Sequence, residues 1–149
     1  MKLNTKTRYG IRAMIELAMD WGGKGLYQKE ISERQRISYK YLDHIVSALK
    51  TKGLISNVEG RKSGYRLARN PEEISVYDIY KAFEPDMQIV DCIGEDGECV
   101  NAHNCAAKDL WCGLNKAIIE HLSSVNLKEL SDKQKAMKQR DEKLELYEI

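Results

Sequence analysis

Apolar positions punctuate the first twenty residues at Tyr9, Ala13, Ile15, Leu17 and Ala18, with Arg8, Arg12 and Glu16 between them. The pattern predicts an amphipathic helix over Lys2 to Asp20, ended by the Trp21-Gly22-Gly23-Lys24-Gly25 run. Leu26 and Tyr27 then lead into a short helix, roughly Gln28 to Gln35, whose Ile31 points inward. Arg36 and Ile37 make a tight connection to a third helix, Ser38 to Lys52, with Ser38 placed as its N-cap. Leu42, Ile45, Val46 and Leu49 form one stripe of that helix; Tyr39, Lys40, Tyr41, Asp43, His44 and Ser47 occupy the rest. After Gly53, Leu54 to Val58 reads as a strand, Glu59 to Gly64 as a turn, and Tyr65-Arg66-Leu67 as the returning strand.

Two helices, a capped third and a basic hairpin make a winged helix-turn-helix, mainly α with a small β-hairpin wing. In that arrangement the third helix enters a major groove of double-stranded DNA and the hairpin meets the flanking backbone. Ser38, Tyr39, Lys40, Tyr41, Asp43 and His44 supply donors and acceptors for base edges, and Arg61 and Lys62 at the wing tip suit phosphate or minor-groove contact. Taken singly, each of these residues is more commonly explained by an ordinary solvated face.

Further along, Ser75 and Asp78 resemble a capping box, so a helix begins there and closes at Pro85. A later helix carries Leu110, Leu114, Ala117, Ile118, His121 and Leu122, with Trp111 on or beside that face. So apolar a helix late in a short chain fits either a homodimer seam or burial within the same chain. Asn126 caps a last short turn, and the charged stretch from Ser131 shows no sustained apolar stripe, which predicts a mobile or late-ordering tail. Three segments follow: a winged helix-turn-helix over 1–70, a connecting helix, cysteine loop and dimerisation helix over 71–130, and a charged tail over 131–149.

The net charge of +1 conceals a division that strengthens the nucleic-acid reading. Met1 to Arg69 holds 15 Lys and Arg against 6 Asp and Glu, whereas Asn70 to Ile149 holds 9 against 17. Only the first half is built to meet a polyanion. The opening residues are too polar for a secretory signal and no apolar run approaches membrane-spanning length, which implies a cytoplasmic protein with no membrane partner. No nucleophile–base signature is present, and His44, His103 and His121 are scattered, so an enzyme is not expected.

All four cysteines lie between Cys92 and Cys112. The stretch from Cys92 to Cys105 is rich in Gly, Asn and acidic residues and has too little to bury to offset the entropy of ordering it. Converging thiols on a metal centre would pin it. The gaps of six, five and six residues contain no close pair of the zinc-knuckle kind, whereas iron–sulfur clusters accept wider looped spacings. Disulfides are disfavoured in a reducing cytosol. Four unrelated, small core cysteines remain the plain alternative.

KTRYGIRAM near the start, ISERQRIS followed by YKYL at the helix-turn-helix, LIS-NVEG and GY at the wing, and the three-cysteine loop followed by LW resemble the IscR/NsrR family of bacterial iron–sulfur transcription regulators. The resemblance covers about Met1 to Leu130 and is nearest the IscR branch. Arg8 supports that branch, because the nitric-oxide-sensing branch often has a carboxylate ligand there. It implies a homodimer joined by a long C-terminal helix, a cluster loop near the DNA-binding region, and an iron–sulfur cluster held by Cys92, Cys99 and Cys105, 2Fe–2S in preference to 4Fe–4S. Three departures stand out. Lys108 occupies the position of the branch's histidine ligand, the first cysteine gap is one residue longer, and Glu59 and Asp43 replace residues more usual at the wing and recognition helix. The fourth ligand is left between His103 and Cys112. If helix begins at Cys105, Cys112 lies about 10 Å further along the axis, too far for one compact cluster. A protein-binding winged helix with structural or zinc-binding thiols is the alternative of a different class.

Overall fold

The first helix, α1 (Thr5–Met19), starts where the Asn4 side chain accepts a 2.7 Å hydrogen bond from the Thr7 N–H, and it turns Ala13, Met14, Leu17 and Ala18 into the core. The computed structural model describes residues 3–93 and 104–148. Helix α2 (Gln28–Gln35) is entered through a bond from the Tyr27 N–H to Glu30 Oε2, 2.7 Å, and ends at Arg36, whose φ of 54° is left-handed. That conformation is costly for a side-chain-bearing residue, and here it turns the chain sharply into α3 (Tyr39–Thr51). Ser38 Oγ caps α3 by accepting from the Tyr41 N–H at 3.1 Å. Leu42, Ile45, Val46 and Leu49 are all buried, as their spacing predicts.

The wing has one more strand than the hairpin expected. β2 (Ile55–Asn57) and β3 (Gly64–Leu67) pair antiparallel, Ile55 opposite Leu67 and Asn57 opposite Tyr65. The two-residue β1 (Leu26–Tyr27) adds to the far side of β3, with Leu26 opposite Tyr65, giving the order β1-β3-β2. The start of α2 is thereby sewn to the wing.

Helix α4 (Val76–Phe83) begins at the Ser75/Asp78 capping box. It packs so closely on α1 that a methyl group on Gly10 would overlap the Phe83 ring. Helix α5 is Ala106–Ser124, with Cys105 as its N-cap residue.

The C-terminal segment corrects an expectation. Instead of a short turn and a mobile tail, Leu127–Tyr147 forms one 21-residue helix, α6, capped by Asn126 Oδ1 accepting from Glu129 N–H at 2.9 Å. Its start is pinned by strand-like bonds: Leu127 N–H donates to Ile74 O at 2.8 Å and Val76 N–H to Val125 O at 2.9 Å. Leu127 is fully buried, and α6 then runs along α1. Strong helix formers and one anchored end give order without an apolar stripe. Among the described residues no helix is long and apolar enough to cross a membrane.

Candidate nucleic-acid interface and cysteine region

With its apolar stripe in the core, α3 presents Lys40, His44 and Ser47 directly outward, flanked by Tyr39 and Asp43 towards the wing. Ser38, at the N-cap, is exposed at the leading end. Lys62 is exposed at the wing tip. The structure therefore gathers seven of the eight candidates, Ser38, Tyr39, Lys40, Asp43, His44, Arg61 and Lys62, on the recognition helix's outer side and the wing. Four of these already make side-chain bonds within the chain: Ser38 Oγ caps α3, and Tyr39 Oη donates to Ser63 Oγ at 3.5 Å. Asp43 Oδ1 accepts from Gln28 Nε2 at 2.6 Å, and Arg61 donates to Lys24 O at 3.3 Å with its guanidinium 5.4 Å from the Tyr27 ring centroid. Tyr41 stands apart: it is half-buried on the other flank, edge-on to Tyr9 at 5.7 Å, and packs against the core.

Three buried residues that pattern reading passed over lie behind this surface. Gln28 is buried, and its amide nitrogen reaches both Asp43 and the Tyr39 carbonyl (3.2 Å), while its backbone N–H donates to Ser63 O at 2.8 Å. One residue thus ties α2 to α3 through its side chain and to the wing through its backbone; nothing in a lone polar residue at a helix start signals that role. Tyr65 sits between α3 and the wing with Lys50 Nζ 5.8 Å from its ring centroid. Burial first, then the neighbouring Tyr39 and Asp43, raise its phenol above the ordinary tyrosine value, against a lowering hydrogen bond with Asn57. Glu16 is the third, and it did leave a trace: it falls three residues after Ala13 and next to Leu17, inside the apolar stripe rather than between stripes.

Of the cysteine-region candidates, Cys99 and His103 lie outside the described residues. Cys92 and Cys105 are both half-buried, Cys92 on a short 3-10 turn (Asp91–Ile93) that packs against α5, Cys105 at the α5 start. The Ile89 N–H donates to Asn115 Oδ1 at 3.1 Å and ties the incoming segment to the same helix. Cys112 is exposed two turns into α5. Because helix runs unbroken from Ala106, Cys112 lies about 10 Å beyond Cys105 along the axis. Among the described residues no three His, Cys, Asp or Glu side chains converge on one point.

Helix α5 carries two stripes rather than one apolar face. Trp111, Asn115, Ile118 and Leu122 are half-buried towards the body of the protein, and Leu110, Leu114, Ala117 and His121 are exposed on the other side. No residue of α5 is fully buried.

A family model described as Rrf2, iron-dependent transcriptional regulator, matches residues 3–133. The HTH-type transcriptional regulator IscR of Photorhabdus laumondii subsp. laumondii is 34% identical over 137 residues, spanning 92% of this chain and 83% of that relative. Among solved structures, T. potens IscR is similar with a TM-score of 0.73 at 33% identity, covering 91% of this chain and 90% of that one. CymR, the global cysteine regulator of B. subtilis, is similar with a TM-score of 0.74 at 33% identity, covering 89% and 97%.

Proposed function

The chain belongs to the Rrf2 family of transcriptional regulators, and from that premise we propose that it is a cytoplasmic homodimer whose operator binding is governed by an iron–sulfur cluster. Duplex DNA is read by α3 through Lys40, His44 and Ser47, with Ser38 and Tyr39 at the helix start. Lys62, backed by Arg61, neutralises phosphates beside it. Asp43 and Tyr41 contribute by holding the helix in place, since both are engaged within the domain.

Cys92, Cys99 and Cys105 are the proposed thiolate ligands, of a 2Fe–2S rather than a 4Fe–4S cluster. The observation that carries this is the placement of Cys92 and Cys105. Both are half-buried beside α5, Cys92 on a turn packed against that helix and Cys105 at its N-cap. Soft thiolates suit such a cluster, and the positive end of the α5 dipole suits a negatively charged ligand set. When bound, the cluster supplies a centre that oxidants or nitric oxide can alter. The chain's own part would be mechanical: Cys92, Cys99 and Cys105 would tie Asp91–Ile93 and the start of α5 to one centre, so loss of that centre would free the entry to the proposed dimer helix. Cys112 stays outside the set, and the fourth donor comes from His103, the partner subunit or an external ligand.

Anaerobic purification with an absorption spectrum and iron and sulfide analysis tests the cluster. Visible absorption with equal iron and sulfide supports it; colourless protein with stoichiometric zinc overturns it and favours the structural-thiol alternative. After anaerobic reconstitution Cys99→Ala loses the absorption and Cys112→Ala keeps it. Equal loss in both would show that α5 starts later when metal is bound.

A further inference from the structure

Glu16 is the only Asp, Glu, Lys or Arg among the buried residues described, at 1% exposure, and neither the recognition surface nor the cysteine region uses it. Its two oxygens meet three side chains from two other helices. Oε1 accepts from Gln35 Nε2 at 2.6 Å and stands 3.6 Å from Lys138 Nζ of α6; Oε2 is 3.5 Å from Arg34 Nη1 of α2. Gln35 is held from its other side as well. Arg12 Nε donates to Gln35 Oε1 at 2.8 Å, and Arg12 Nη2 donates to the Gln35 carbonyl. Gln35 is the last residue of α2, and the next residue is Arg36, the left-handed position from which α3 is aimed.

We propose that Glu16 is a positioning residue for DNA recognition: it fixes the α2–α3 turn through Gln35 and, through Lys138, makes the aim of the recognition helix depend on where α6 lies. The inference rests on the DNA-binding reading above and adds a route to it. A buried carboxylate keeps its desolvation cost whichever partner leaves, so the remaining partners must take up the charge. Lys138 and Arg34 are about half exposed, so each ion pair is screened and neither holds the fold together. The bond to Gln35 is short, buried on the acceptor side and charge-assisted. Removing Lys138 therefore redistributes the carboxylate between Gln35 and Arg34 rather than unfolding the domain, and the turn that follows Gln35 registers the change.

The test uses the full chain and a duplex selected by it from a randomised DNA pool. Affinity for the selected duplex is compared with that for a scrambled duplex at one salt concentration. Lys138→Ala should lower the ratio about two- to tenfold, and Lys138→Arg should restore it. Lys135→Ala, which removes the same charge from α6 without touching Glu16, should leave the ratio unchanged. The amide resonances of Arg36 and Ile37 should shift in Lys138→Ala and not in Lys135→Ala. Glu16→Gln, which keeps a hydrogen-bond acceptor for Gln35 but no charge, should resemble Lys138→Ala; should it fail to fold, the two lysine variants decide. An unchanged ratio and unmoved turn resonances in Lys138→Ala overturn the proposal, even if the melting temperature falls. If the wild-type chain selects no duplex, the DNA-binding reading fails, and the turn resonances still decide whether Lys138 and the turn are linked.

Discussion

Leu42, Ile45 and Leu49 of α3 are completely buried within their own chain, whereas Leu110 and Leu114 of α5 are 62% and 43% exposed. Both helices carry leucines at helical spacing, and both are amphipathic. What separates them is what their neighbours can cover. α3 has α1, α2, α4 and the sheet around it, so its stripe closes a core that needs no second molecule. α5 rests on α4 and the Cys92 turn by one flank and leaves the other open. A contiguous apolar stripe left in water is costly at about 25 cal/mol per Å², which is the physical case for a second copy covering it. The core of the winged-helix head (residues 1–70) is closed within the chain, with Ile74, Ile79 and Leu127 as part of it, whereas in the proposed homodimer the open flank of α5 would be covered by the second copy.

The largest expected effect tests the first half of that statement. Leu42→Ala should cost about 2–5 kcal/mol in urea unfolding, because the cavity it leaves is walled by packed helices. Leu114→Ala, measured where the protein is monomeric, should cost no more than about 0.5 kcal/mol. Similar costs at the two sites would mean that α5 is covered from within the chain. Next in size is the double change Leu110→Glu with Leu114→Glu. Sedimentation equilibrium should show the monomer, and affinity for a two-site operator should fall about a hundredfold as the avidity of paired heads is lost, with the head's unfolding curve in place. A variant that remains dimeric would place the seam elsewhere.

Within the head a finer contrast separates reading from anchoring. His44→Ala should narrow the preference for one duplex over another by about 1–3 kcal/mol. Lys62→Ala should weaken all duplexes alike and reduce the slope of log K against log salt by about 0.9. Uniform losses from both substitutions would remove α3 from the groove.

The same comparison explains what could be read from the chain alone. In the head, the information is local and repeated: the Leu42-Ile45-Val46-Leu49 stripe, the Ser38 cap and the Ser75/Asp78 box each act within one or two helical turns, and all appear where their spacing places them. β1 was not legible because Leu26–Tyr27 is a strand only by virtue of Gly64 and Tyr65, some forty residues away. α6 was not legible because its order comes from an end anchored at a distance, where Leu127 N–H meets Ile74 O and Val76 N–H meets Val125 O. The split of α5 into a covered and an open flank has the same origin. Its apolar residues were plain, but which of them a neighbour covers is a tertiary fact. Of the recognition-helix candidates, polarity alone does not reveal that Tyr41 packs on Tyr9, nor that Asp43, though outward, is already bonded to Gln28.

The smallest expected effect lies at alkaline pH and sets the head against the α4 region once more. Tyr65 and Tyr80 both have phenols raised above the ordinary value of 10.0, each chiefly by burial. For Tyr65 the further causes include Tyr39 and Asp43 of α3; for Tyr80 they are Glu84, Tyr77 and Asp86. A raised value in the folded state means that the neutral phenol is the form the fold accommodates. The stability linked to it is intact below the unfolded value near pH 10 and is lost as pH rises through the folded value. Tyr65→Phe and Tyr80→Phe should therefore each flatten the loss of stability above about pH 10. Their effects on DNA should differ. Ionised Tyr65 would place a negative charge beside Asp43 on the recognition helix, so Tyr65→Phe should also blunt the alkaline fall in affinity for duplex DNA. Tyr80 ionises against α4 and the chain leading to Cys92, away from α3, so Tyr80→Phe should leave that fall as it is. Equal effects on affinity would mean that alkaline loss of binding reports unfolding of the whole chain and not charge at the reading surface.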